Sequence, residues 1–189
     1  MTRQKNAIKK RKLEKVNTYE KIQNTIDIRG VNTIDIGVNT DKQLKDYNIF
    51  VFDLDNTLYL HNVDDVYAEK YHTKVKNFLM YLKDNDKKLY IATHNFNPLK
   101  LLHKINISPL LFDSIIKETK NVHPLLNSIT EYTSKKDMIL EILNNHNDLT
   151  QNDIIFFDDN KYNIKEVNSI NVKSVYVNES KGIDFTEIY

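Results

Sequence analysis

Cysteine is absent from this 189-residue chain, which excludes a disulfide framework, a cysteine nucleophile and a thiolate-ligated zinc site. A chain without cysteine fits a reducing compartment, so a cytoplasmic location is expected, with the nucleus as the alternative. Glycine and proline are scarce at three residues each, while Asn, Lys, Ile and Asp abound; we read this as codon bias toward A and T. No window reaches the roughly 18 uninterrupted apolar residues of a membrane span. The opening MTRQKNAIKKRKLEK contains no apolar core of a secretory signal, and no membrane partner is expected. With 40% hydrophobic and 28% charged residues, the composition is that of a globular chain, long enough for one domain and an appendage.

A net charge of +1 conceals an asymmetry. Residues 1–15 carry seven basic side chains against Glu14 alone, a charge of +6, and the remaining 174 residues carry −5. Residues 1–45 read as a basic, low-complexity appendage, poorly ordered, and residues 46–189 as the folded domain. Lys9-Lys10-Arg11-Lys12 is a run of the kind that addresses proteins to the nucleus or meets nucleic acid, although a solvated arm is the commoner explanation. The segments NTIDIRGV (24–31) and NTIDIGV (32–38) form an imperfect repeat, too few copies for a solenoid.

From Tyr47 onward the pattern alternates between strand and helix. Ile49–Phe52, Leu89–Ala92, Leu111–Ile116, Ile154–Phe157 and Val172–Val177 are short apolar runs, expected as strands buried on both faces. Val66, Tyr67, Tyr71, Val75, Phe78, Leu79 and Leu82 recur at helical spacing. Further helices are expected from Pro98 to about Ile105, from Lys135 to Leu143 and from Lys161 to Val167. The fold class that follows is α/β, a Rossmann-like parallel sheet with helices on both faces. In such sheets ligands bind beyond the carboxyl ends of the strands.

The residues at those ends carry the chemistry. Asp53 and Asp55 follow the first strand and, two apart, face one side together. Thr93, His94 and Asn95 follow the second strand, and Asp158 and Asp159 follow the Ile154–Phe157 strand. Lys135 and Lys136 open the intervening helix, where the helix-start position favours Lys135. Taken singly, each has an ordinary explanation, since acidic pairs cap turns and lysine pairs sit on solvated faces. Together they describe carboxylates that ionise side by side only with a cation present. Oxygen donors without His or Cys suit Mg²⁺. One aspartate then serves as nucleophile, a second as acid and base, and a lysine and hydroxyl hold the phosphoryl oxygens.

VFDLDNTL (51–58), IATHN (91–95) and FFDDN (156–160) resemble the motifs of the haloacid dehalogenase superfamily. Within it the chain is most similar to the eukaryotic magnesium-dependent phosphatases, over roughly residues 47–186. The resemblance implies a phosphatase with Asp53 as nucleophile and Asp55 as acid and base. It implies Mg²⁺ held by Asp53, Asp159 and the backbone carbonyl of Asp55. Leu54, Thr93, His94 and Lys135 are the substrate-contacting candidates. Asn163 stands where some members have another acid, and His94-Asn95 replaces the usual small polar and basic pair. The 35 residues between Thr57 and Thr93 and the 41 between Thr93 and Lys135 leave no room for a large cap domain. An open site is therefore expected, taking phosphate from a phosphoprotein, phosphotyrosine included, or from a small molecule. The alternatives are a nucleic-acid end phosphatase guided by the basic tail and a non-catalytic binding module on the same fold.

Overall fold

The computed structural model describes residues 43–117, 120–122, 129–131 and 134–185. The basic run and the repeat lie outside the described residues, as does nearly all of the proposed appendage. The described residues up to Asp184 belong to one compact unit. Its strands are β1 (Ile49–Phe52), β2 (Lys88–Thr93), β3 (Ser114–Lys117), β4 (Lys120–Val122), β5 (Ile129–Glu131), β6 (Ile154–Asp158) and β7 (Lys173–Tyr176). Its helices are α1 (Asp65–Asp84), α2 (Pro98–Lys104), α3 (Lys135–Asn144) and α4 (Lys161–Asn168). No helix among the described residues is long and apolar enough to cross a membrane.

Five strands make one sheet in the order β3-β2-β1-β6-β7, and every pair in it is parallel. The central strand is Ile-Phe-Val-Phe, and all four residues are buried because both faces of the sheet are covered. Phe50 and Phe52 point to one face, where they stack with Phe157 of β6 and meet Phe78 of α1 edge-on, at centroid distances of 5.0 to 6.5 Å. Ile49 and Val51 point to the other, into a cluster with Tyr90, Ala92, Met138, Ile139, Ile142, Phe156 and Val167. That second core fixes α3 and α4 beneath the sheet.

The third strand differs from expectation. Pro109–Leu111 form a 3₁₀ turn, and the strand begins only at Ser114. Pro109 supplies the fixed φ of a turn, and the Ser108 hydroxyl accepts from the Leu110 N–H. The antiparallel pair β4–β5 was not anticipated either. Its segments Lys-Asn-Val and Ile-Thr-Glu contain no apolar run to betray them.

Scarce glycine has a visible consequence. Asn56, Asp86, Asn106 and Asn171 all adopt positive φ, between 53 and 60°, where Asn and Asp are the tolerated substitutes. Gly182 is different. At φ 76° a Cβ there would run into the Tyr71 ring. The buried Tyr71 hydroxyl donates to the Thr57 carbonyl and accepts from the Ile183 N–H at 3.0 Å, so α1 clamps the loop after β1 to the C-terminal segment. Tyr71→Phe leaves a buried carbonyl and a buried N–H unpaired, and is expected to cost about 1–3 kcal/mol in denaturant unfolding. A variant as stable as the parent would show that the clamp contributes nothing.

Candidate active site

The chain steps from β1 outward to β2 and β3, then returns to the far side of β1 as β6. The carboxyl ends of β1 and β6 therefore flank the point where the winding reverses, the usual ligand position in such sheets. Register places Phe52 opposite Phe157, so Asp53, just beyond β1, comes beside Asp158 at the end of β6. The Asp53 N–H donates to the Phe157 carbonyl at 2.8 Å.

Lys135 fills the space between them. It is 1% exposed; its Nζ pairs with Asp53 Oδ1, lies 3.3 Å from Asp158 Oδ2 and donates to the Ala92 carbonyl at 2.6 Å. A lysine in the first turn of a helix opposes the helix dipole. Ser134 caps that helix by accepting from the Asp137 N–H, and the buried carboxylates compensate the lysine. Lys136 is only half-buried, and it is Lys135 that reaches Asp53.

The aspartates differ by surroundings. Burial pushes the Asp53 carboxyl up to about 7, against the pull of Lys135, and the neighbouring Asp158 pushes the same way. Asp159 is also raised, again chiefly by burial, while Asn56 Nδ2 donates to its Oδ2 at 3.2 Å and restrains the shift. Asp158 is fully buried with its oxygens taken. They accept from the Asn160 N–H at 2.7 Å and from Asn163 Nδ2 at 3.0 and 3.1 Å. Asn163, in the place of an acid, thus secures Asp158.

Asp55 is more open and has other partners. Asn95 Nδ2 donates to its Oδ2 at 2.9 Å, and His61 Nε2 lies 2.5 Å from its Oδ1. The Leu54 side chain is fully buried, so only its backbone turns to the site, and its N–H donates to the Asp53 carboxylate. Thr93 is fully buried; its Oγ1 accepts from the Asn95 N–H at 3.0 Å, which keeps its own proton available. His94 is half-buried beside it. Sequence reasoning named Asn95 beside Thr93 and passed over His61 and Asn56 as site residues. Their only signal was proximity in the chain to Asp55.

Among the described residues, no three His, Asp or Glu side chains converge as a ready-made metal cage. Mg²⁺ does not need one, since it keeps waters and is held by one or two carboxylates with substrate oxygens. Asp53 and Asp159, with Asp158 adding repulsion and Lys135 the one nearby cation that acts on both, form an oxygen-only site short of positive charge. The residues fit Mg²⁺.

A family model described as Acid Phosphatase matches residues 66–188, a stretch that includes Thr93, Lys135 and Asp159 and begins after Asp53 and Asp55. No curated protein sequence matches the chain. The fold is similar to the N-terminal part, containing a phosphatase domain complexed with Mg, of a Bacteroides fragilis protein. The TM-score is 0.56 and identity 14%, over 74% of this chain and 38% of that one. It is also similar to a haloacid dehalogenase-like family hydrolase from Streptococcus pneumoniae, with TM-score 0.51 and identity 14%, over 76% and 90% of the two chains. The chain thus spans well under half of the first structure and most of the second. At these identities the likeness is one of fold.

Two outcomes are expected from this geometry. Lys135→Ala leaves Asp53 and Asp158 buried without their cation and should cost about 3–5 kcal/mol in denaturant unfolding, whereas Lys136→Ala should stay within about 0.5 kcal/mol of the parent. Equal effects would contradict the assignment of the buried lysine. The second outcome concerns pH in EDTA. The folded Asp53 holds its proton above the ordinary carboxylate value of about 3.9, so the folded state binds more protons than the unfolded one between there and about 7. Stability should be greatest at the acid end of that window and fall as pH rises through it. Asp53→Asn should flatten the dependence, and an unchanged slope in that variant would assign it elsewhere.

Proposed function

Because the chain belongs to the acid phosphatase family, we propose that it is a magnesium-dependent phosphatase working through an aspartyl-phosphate. The enzyme class follows from the family and the haloacid dehalogenase-like fold. The observation that carries the finer reading is the buried Lys135 set between Asp53 and Asp158, with a second acid, Asp55, two residues on. Within the superfamily we place the chain with the eukaryotic magnesium-dependent phosphatases, on VFDLDNTL, Ser134-Lys135 and FFDDN with Asn163-Ile164.

Asp53 attacks phosphorus as the P–O bond to the leaving group breaks, and Asp55 gives its proton to the departing oxygen. Asp55 then takes a proton from the water that hydrolyses the acyl phosphate, which frees Asp53. Lys135 offsets the charge of Asp53 and of the incoming phosphoryl group, and the Thr93 hydroxyl proton is directed to a phosphoryl oxygen. Bound Mg²⁺ would neutralise the carboxylates and polarise the phosphoryl group.

A phosphoprotein substrate, phosphotyrosine included, suits the surroundings. Between Thr57 and Thr93 the described elements are α1 and β2, with no cap domain. Phe96 and Tyr162 stand 80% and 72% exposed, each next in the chain to an Asn that bonds a site aspartate. Small phosphates fit the same open site, and nucleic-acid ends are the competing class.

After EDTA treatment the protein should be inactive on p-nitrophenyl phosphate and recover with Mg²⁺, while Ca²⁺ should replace it poorly. Asp53→Asn should lower kcat by at least about a hundredfold with the fold retained. Phosphotyrosyl peptides should be turned over better than 5′- or 3′-phosphorylated oligonucleotides. Full activity in EDTA, or an Asp53→Asn variant near the parental rate, would refute the mechanism; preferential turnover of oligonucleotides would move the substrate class.

A further inference from the structure

The loop after β1 carries a histidine that the mechanism above does not use. His61 is 41% exposed, and its Nε2 lies 2.5 Å from Asp55 Oδ1. Its ring is seated by a chain of contacts. The Tyr59 ring meets it edge-on at 4.7 Å and 81°, and on its other side stacks against His72 at 5.6 Å and 11°. Lys104 holds the Tyr59 hydroxyl and lies over the same ring. The turn is closed by the Asn56 N–H donating to the Tyr59 carbonyl at 2.6 Å and the Tyr59 N–H donating to the Leu54 carbonyl at 2.9 Å. Imidazole and carboxylate are therefore held together by packing as well as by their own hydrogen bond.

We infer that His61 is a positioning residue for Asp55, one that decides which carboxyl oxygen serves the leaving group. The imidazole occupies Oδ1, and in this reading Oδ2 is the oxygen that serves the leaving group. Asn95 Nδ2, at 2.9 Å from Oδ2 and 3.2 Å from Oδ1, keeps the carboxyl plane fixed, while His61 touches Oδ1 alone. His61 makes the choice. The inference rests on the reading of Asp55 as the acid, and one experiment separates the two.

General acid catalysis matters most when the leaving oxygen is basic. The test is kcat/KM, which reports phosphoryl transfer to the enzyme, across p-nitrophenyl, phenyl and alkyl phosphates, for the parent, His61→Phe, His61→Gln and Asp55→Asn. Phe keeps the edge contact with Tyr59 but loses the ring nitrogen, and Gln restores a hydrogen-bonding group at about the reach of Nε2. His61→Phe is expected within about threefold of the parent on p-nitrophenyl phosphate and roughly tenfold to a hundredfold lower on the alkyl ester, with most of the loss recovered in His61→Gln. A uniform loss across the series, no loss at all, or a graded loss that Gln does not rescue overturns the inference for His61. If Asp55→Asn shows no leaving-group dependence, the reading of Asp55 as the acid fails and the role of His61 fails with it.

Discussion

A lysine ammonium enclosed between two buried carboxylates constrains most of this structure. Removing these charges from water costs several kcal/mol per ion, repaid only where geometry is close and the remaining donors and acceptors are matched. Three elements supply that match. The β1–β6 register sets Asp53 against Asp158, β2 offers the Ala92 carbonyl as a third acceptor, and α3 brings the lysine from below the sheet. Met138, Ile139 and Ile142 of α3 lie in the core beneath the sheet, so the apolar face of that helix holds the ammonium in place. Packing and charge are thus two uses of one helix.

One lysine does not neutralise this cluster, and the aspartates divide their work accordingly. Asp158 is saturated with donors and serves to hold Lys135 and the start of α4. Asp53 is buried, and its carboxyl is raised by that burial against the pull of Lys135. Asp55 is partly open to water, accepts from the Asn95 amide and meets His61 Nε2. Environment, more than residue type, separates these three identical side chains.

The central part of this arrangement was legible in the chain. Doubly buried strands announce themselves as apolar runs, as at Ile49–Phe52 and Ile154–Phe157, and the chemistry sits directly after them. Where the signal faded, the reason is physical. Pro109 and Ser108 favour a turn over the strand that the apolar Leu110-Leu111-Phe112 run suggested. The strands β4 and β5 lie in segments without an apolar run. His61 is invisible in sequence because its contact with Asp55 depends on how a six-residue loop closes, which local propensity does not encode.

The composition bias that looks empty of meaning shapes the site as well. In a chain with three glycines, the left-handed turn after Asp55 falls to Asn56 at φ 53°. A glycine would make that turn but could not donate to Asp159, as Asn56 does, and so could not join the β1 loop to the β6 loop. The same pairing recurs with Asn95 on Asp55 and Asn163 on Asp158. An amide donor stabilises a carboxylate without contributing charge, so these three links order the aspartates while leaving their negative potential intact. Lysine or arginine in those positions would have fixed the same geometry and cancelled part of that negative potential. Asparagine preserves both the order of the aspartates and their negative potential.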